Sequence, residues 1–167
     1  MQNRNQTDRK LYGVYVQSLL TKKVFLSIND IGSNIKGNLE KLISNKLEGR
    51  CIVEGFVKPK TINVTSYSSG KVNGEVIEYH AIFDCMICHP VEGMIVDCKV
   101  KTITKVGIHA EVIDEDGNIP IIVFVSRDHH YNDFSKIKEE ETIRVNIVGT
   151  RFELNDPNIC CIGYLVE

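Results

Sequence analysis

Cys85, Cys88 and His89 form a C-x-x-C-H run, the residues in this chain whose types and spacing come nearest to a metal or redox site. A structural zinc takes four ligands, usually as two such pairs. The second pair would have to come from His80, Cys98 or Cys160–Cys161, and adjacent cysteines ligate poorly together. A redox C-x-x-C needs a helix start behind it, whereas VIEYHAIFDC reads as a strand. The same letters attach c-type haem, but no segment offers an axial ligand. No metal or cofactor is therefore assigned. The six cysteines (Cys51, Cys85, Cys88, Cys98, Cys160, Cys161) read as free thiols in a reducing compartment, several of them small buried side chains. Ser126, Asp128 and His129 have the types of a nucleophilic triad, but neighbours in sequence do not make one, and no nucleophile elbow surrounds them. His129 and His130 read as solvent-exposed, within reach of RNA or a partner. Ser66–Gly74 is rich in Gly and Ser but has no P-loop lysine and opens no helix. No catalytic residue emerges.

The elements that must position these residues fall into two sets. In the first half, Tyr12, Val14 and Val16 alternate and Val24–Leu26 is apolar, which reads as two strands. Ile35, Leu39, Leu42, Ile43 and Leu47 follow helical spacing, with Asp30 or Ser33 able to cap the start and Gly49 the end. CIVEGFV, TINVT and VIEYHAIF read as strands, and SYSSGKVNGE as a loop. This predicts an α+β domain over residues 11–90, one helix packed on an antiparallel sheet.

From Val91 the strands shorten. Met94, Val96, Cys98 and Val100 alternate, and then the phase slips so that Ile103 and Val106 turn inward, as at a bulge or barrel corner. HAEVI, IPIIVFVS, TIRVNIVGTRF and NICCIGYLV follow, with DEDGN as a turn and DHHYNDFSKIKEEE as a polar excursion. Five strands in this rhythm predict an all-β OB barrel over residues 91–167. Residues 1–10 are polar, without an apolar core, and read as a flexible leader.

Charge narrows the function. The 167 residues are 43% hydrophobic and 25% charged with a net charge of −2, a globular composition. No run of about 18 apolar residues suggests a membrane span. Residues 1–90 carry a net +4 (12 Lys+Arg against 8 Asp+Glu) and residues 91–167 a net −6 (8 against 14). Gripping nucleic acid by charge alone calls for a basic protein, so any RNA contact must be local or shared with partners. Lys99, Lys101, Lys105 and Arg127 form a basic strip on the barrel strands, with Arg151 beside it. Glu139–Glu141 reads as a solvated acidic face that repels RNA on its own side and so orients the strip.

GMIVDCKVKTITKVGIHAEV, IPIIVFVSRDHH and TIRVNIVGTRFELNDPNICCIGYL resemble the OB barrel of the ribosomal protein S-one type. More narrowly, they resemble the larger stalk subunit of archaeal and eukaryotic RNA polymerases, known as E-prime in archaea. IVGTR, then Asn155-Asp156, then IG near the end carry this most specifically. LEGRC leading into a strand, and SGKVNGE before VIEYHAIF, resemble that family's N-terminal tip domain. The match runs from about residue 11 to the end.

The resemblance implies a non-catalytic subunit. The tip domain docks on the large polymerase subunits near the clamp and pairs with a smaller stalk subunit. The barrel stands near nascent single-stranded RNA. It implies stacking residues at positions that are here Val106, His109 and Phe124, so one aromatic is lost, one is changed and one is kept. At roughly 1–3 kcal/mol per stacked base, this predicts weak, nonspecific, salt-sensitive binding through Lys99, Lys101, Lys105, His109, Phe124, Arg127 and Arg151. It also implies docking through Ser69, Gly70, Lys71 and Gly74, with Lys58 and Lys60 nearby. The expected location is intracellular: the nucleus in a eukaryote, the cytoplasm or virion for an archaeal or viral protein. A free-standing RNA-binding module and a polymerase-derived virion protein are the rival readings.

Overall fold

The computed structural model describes residues 13–129 and 134–166. The leader, Tyr12 and His130 lie outside them, as does the side chain of His129.

Two 13-residue strands form the spine of the first half. Strand β1 (Tyr15–Ser27) pairs antiparallel with β6 (Val76–Cys88) along its whole length, from Tyr15 opposite Cys88 to Ser27 opposite Val76. On its other side β6 pairs in turn with β3 (Gly55–Val57), β4 (Asn63–Tyr67) and β5 (Lys71–Asn73). Strand β2 (Cys51–Ile52) completes the sheet against β3. Helix α1 (Ile35–Leu47) lies on one face, burying Leu39 and Ile43 against Val24, Leu26, Val64, Ala81 and Phe83. Asn34, not Asp30 or Ser33, caps it, its Oδ1 accepting from the Gly37 amide at 3.0 Å. Gly49 follows the helix end at φ 72°.

Two expectations about strands change. The two strands predicted before the helix are one. Residues 17–23 are mostly polar because their alternate positions face solvent, yet their backbone is fully paired. CIVEGFV is a hairpin, β2–β3, turning at Val53–Glu54 with Ile52 opposite Gly55.

The second half is a closed barrel of β7 (Ile95–Ile103), β8 (Gly107–Val112), β9 (Ile121–Ser126), β10 (Thr142–Arg151) and β11 (Ile159–Leu165). Around the barrel the order is β10-β11-β9-β8-β7, with β9 and β11 parallel and the other pairs antiparallel. This is the mixed five-strand closure expected of an OB barrel. The phase slip predicted after Val100 is a bulge between Val100 and Thr102. It leaves Ile103 partly buried but Val106 exposed, so the inward placement of Val106 does not hold. Two short helical turns, Arg127–His129 and Phe134–Lys136, fall in the polar excursion.

The barrel core does not stop at the barrel. Tyr15, Cys51, Phe56 and Cys88 of the first sheet pack into the cluster formed by Val96, Ile108, Ile147 and Ile159.

Candidate nucleic-acid interface

In OB barrels the second and third strands, with the first and fourth connecting loops, form the usual ligand face. Here these are β8, β9, residues 104–106 and residues 152–158. His109 on β8 stands opposite Phe124 on β9, their ring centroids 5.6 Å apart and tilted by 60°. Ile162 on β11 lies opposite Phe124 and is more than half exposed. Exposed Val106 stands at the near edge. The result is a short apolar row with one imidazole in place of an aromatic ring.

Three of the cations near this row, Lys99, Lys101 and Arg151, are already held in ion pairs. Lys99 and Lys101 alternate outward on β7, either side of buried Val100. The ammonium of Lys99 pairs with one carboxylate oxygen of Glu140, and that of Lys101 lies 3.6 Å from the other. Lys101 also faces Glu111 at 3.8 Å. The hydrogen bond from Lys99 holds the Glu140 carboxyl below the ordinary carboxylate range. The acidic run Glu139–Glu141 is thus not a separate repelling face, because Glu140 folds over the basic strip. Arg151 pairs with Glu153 at 3.6 Å. Arg127 lies 5.2 Å over the ring of Phe134. Among the described residues no carboxylate is in ion-pair reach of Lys105 or Arg127.

The loop of residues 152–158 is also engaged. The Asn155 amide donates to the Cys51 carbonyl, and the Cys51 amide donates to the Asp156 carbonyl, each at 2.8 Å. Phe152 meets the ring of His89 edge-on at 5.7 Å. His89 in turn hydrogen-bonds the Glu54 carbonyl through Nδ1 at 3.0 Å.

A polar cluster closes the other side of this seam. The Tyr15 hydroxyl donates to Asp114 Oδ2 at 2.8 Å. Burial, and then that bond, push the Tyr15 phenol well above its ordinary pKa. Burial alone would raise the Asp114 carboxyl, but the hydrogen bonds from Asn118 and Tyr15 outweigh it and hold it low. Lys58, expected at the docking surface, is buried here instead. Its ammonium reaches Asp116 at 2.9 Å and Glu115 at 3.1 Å, and sits 5.2 Å over the Tyr15 ring. The salt-linked hydrogen bond to Asp116 holds its pKa above the usual lysine value. Next to this cluster a cleft of about 1020 Å³ opens between sheet and barrel, lined by Gln17, Asp84, Met86, Ile95 and Val112 among others.

The remaining docking candidates are all at the surface. Lys60 is exposed in a turn at φ 61°, and Ser69, Gly70, Lys71 and Gly74 are exposed in the β4–β5–β6 region at the sheet's far end. That end also exposes Phe25, Ile28, Tyr67 and Val72. Cys85 and Cys88 are three residues apart on β6. Their side chains therefore leave opposite faces of the strand and enter different cores, Cys85 beneath α1 and Cys88 in the barrel cluster.

No family model matches the chain. It is 24% identical over 176 residues to the RNA polymerase subunit L376 of Acanthamoeba polyphaga mimivirus, covering 92% of this chain and 83% of that protein. It is 23% identical over 173 residues to DNA-directed RNA polymerase II subunit RPB7 of Glycine max, and 24% identical over 173 residues to subunit 7 of the Arabidopsis thaliana enzyme. Each of those two alignments covers 92% of this chain and 93% of the plant protein. The similarity, over nearly the whole chain, is thus to subunits of DNA-directed RNA polymerases, the class that the sequence resemblance implied. In this chain the residues that sequence reasoning missed are those of the seam: Tyr15, Asp114, Asp116 and the 152–158 loop. Asp114 carried one local signal, the D-x-x-G turn that makes its carboxylate accept from the amides of residues 116 and 118. Nothing local tied it to Tyr15, 99 residues away.

Proposed function

We propose that this RPB7-like chain is a non-catalytic subunit of a multisubunit DNA-directed RNA polymerase. It docks near the clamp through the far end of its first sheet and holds the barrel out as an arm beside nascent RNA. The observation that carries this reading is that the similarity to polymerase subunits spans 92% of the chain and both sheets. Phe25, Ile28, Tyr67 and Val72 are exposed at that end, Tyr67 and Val72 on the face that carries α1 and Phe25 on the other, and with Lys71 and Gly74 they support docking there. Surface apolar groups grouped in this way mark interaction sites. Among the described residues the outer edge of β1 is unpaired, and with exposed Val16 and Leu19 it supports contact with a smaller stalk subunit. RNA contact rests on His109, Phe124, Lys105 and Arg127, with Lys99, Lys101 and Arg151 held in ion pairs. It is therefore weak and nonspecific. Among the described residues no helix is long and apolar enough to cross a membrane, and the site of action is that of the polymerase inside the cell.

Affinity purification of the tagged chain from its host, followed by mass spectrometry, tests the reading. Large polymerase subunits should copurify in stoichiometric amount, and Val72→Asp should deplete them. Recovery of unrelated proteins at stoichiometry, with no polymerase subunits, would overturn it. The pairing of so many barrel cations favours one rival over the other. A free-standing RNA-binding module needs those cations, whereas a polymerase-derived virion protein does not, and finding the chain in particles apart from the polymerase would support the latter.

A further inference from the structure

We infer that Glu140 acts as an intramolecular stand-in for phosphate, occupying the Lys99–Lys101 anion site and keeping the barrel's affinity for free RNA low. This rests on the RNA-facing reading of the barrel and deepens it.

Three observations converge on Glu140. Its carboxylate spans both ammonium groups, one oxygen toward Lys99 and the other 3.6 Å from Lys101. A bound phosphate would make the same two contacts. The backbone fixes it there. The Glu140 amide donates to the Val100 carbonyl at 2.8 Å, and the Glu141 carbonyl accepts from the Val100 amide at 2.8 Å. The turn is closed by the Lys138 amide on Glu141 Oε2 at 3.0 Å. Glu140 itself adopts φ 67°, a conformation a glutamate seldom takes, and one that this stitching to β7 imposes. Its neighbours Lys99 and Lys101 stand beside the His109–Phe124 row, because Lys99 pairs with Glu111 and Thr102 with His109 across β7–β8. A strand of RNA stacked on that row would have to displace this carboxylate to reach either lysine.

The test is a fluorescence-anisotropy titration of a labelled single-stranded oligouridylate with the full chain over a range of salt. Glu140→Gln removes the charge but keeps the shape. It should tighten binding by about 2- to 5-fold at low salt, the scale of one exposed ion pair. It should also steepen the salt slope by about 0.7 for each lysine released to a phosphate. Glu140→Gly, which suits the positive φ, should do the same and guards against a folding defect. The gain should vanish in Lys99→Gln/Lys101→Gln/Glu140→Gln, and the remote exposed control Glu92→Gln should show none. Equal affinity and slope for the original chain and both Glu140 variants would overturn the stand-in role while leaving RNA binding intact. An equal gain from Glu92→Gln, or one that persists without the lysines, would overturn it in favour of bulk charge. No binding by any form at low salt would remove both this inference and the RNA-facing reading.

Discussion

The phenol of Tyr15 and the carboxylate of Asp114 share one hydrogen bond across the seam, and each tunes the other: Tyr15 is held protonated and Asp114 ionised. Tyr15→Phe deletes the bond but keeps the ring packed in the barrel core. A partly buried bond to a charged acceptor contributes about 1.5–3 kcal/mol, so the urea midpoint should fall by that equivalent with an unchanged slope. The sign on the acid side follows from the lowered Asp114 pKa. Its contribution is present above the unfolded carboxylate value and is lost as the pH falls through the lower folded value. The Tyr15→Phe variant should lose part of that acid dependence. A midpoint unmoved at neutral pH would show that Asp114 is satisfied by Asn118 and the Asp116 amide without Tyr15. At this scale the sequence was readable where a residue's role is set by its neighbours in the chain. The outward placing of Lys99 and Lys101 could be read from strand alternation, and the His109 and Phe124 positions from the resemblance. Lys58 and Glu140 could not, because their partners lie 57 and about 40 residues away and pair only once the barrel has closed.

At the scale of elements, the β2–β3 hairpin depends on one backbone position. Gly55 sits at φ 134°, which side chains rarely adopt, and a Cβ there would press on the carbonyl of Cys88 in the neighbouring strand. Gly55→Ala should cost about 3 kcal/mol in backbone strain and loosen β3 from the end of β6. Hydrogen exchange should then rise at Val57 and at the Cys51 amide, which bonds the barrel loop. An undisturbed exchange pattern would mean the hairpin is not what sets the loop. This hairpin was hidden in CIVEGFV because Val-Glu is not a turn pair, so an apolar run concealed a reversal. The long β1 was hidden for the opposite reason, since its middle is polar while its hydrogen bonds are complete. Helix α1 and the barrel strands were legible because their burial period matches their own geometry. The parallel closure of β9 with β11 is a property of topology that no local period records.

Across the whole molecule, the two sheets share one core and should unfold together. Tyr15, Cys51, Phe56 and Cys88 belong to the barrel cluster, and two backbone hydrogen bonds cross from Cys51 to residues 155 and 156. A fragment of residues 1–90 would leave those side chains in water, so it should not fold alone, and the intact chain should melt in a single calorimetric transition. The buried thiols give that shared core a pH signature. Burial pushes Cys51 and Cys85 up to about 11, and Cys88, Cys98 and Cys161 up to about 12, from 9.0. A raised folded pKa contributes stability that is complete below the unfolded value and is lost as the pH climbs toward the folded one. Between about pH 8 and pH 10.5 the urea midpoint should therefore drop steadily, still as one transition. Four of these five thiols lie in the shared core and one lies under α1. Three of the five (Cys51, Cys85, Cys88) are carried by the first sheet and two (Cys98, Cys161) by the barrel, so independent halves would each lose stability separately in alkali and the single transition would split in two. In the native state at neutral pH a thiol reagent should meet only Cys160, the one exposed cysteine, and all six after denaturation. Rapid labelling of Cys51 or Cys88 in the native chain would show instead that the seam opens on its own, and a chain that opens there could not hold its barrel at the fixed distance from a docked sheet that the proposed function requires.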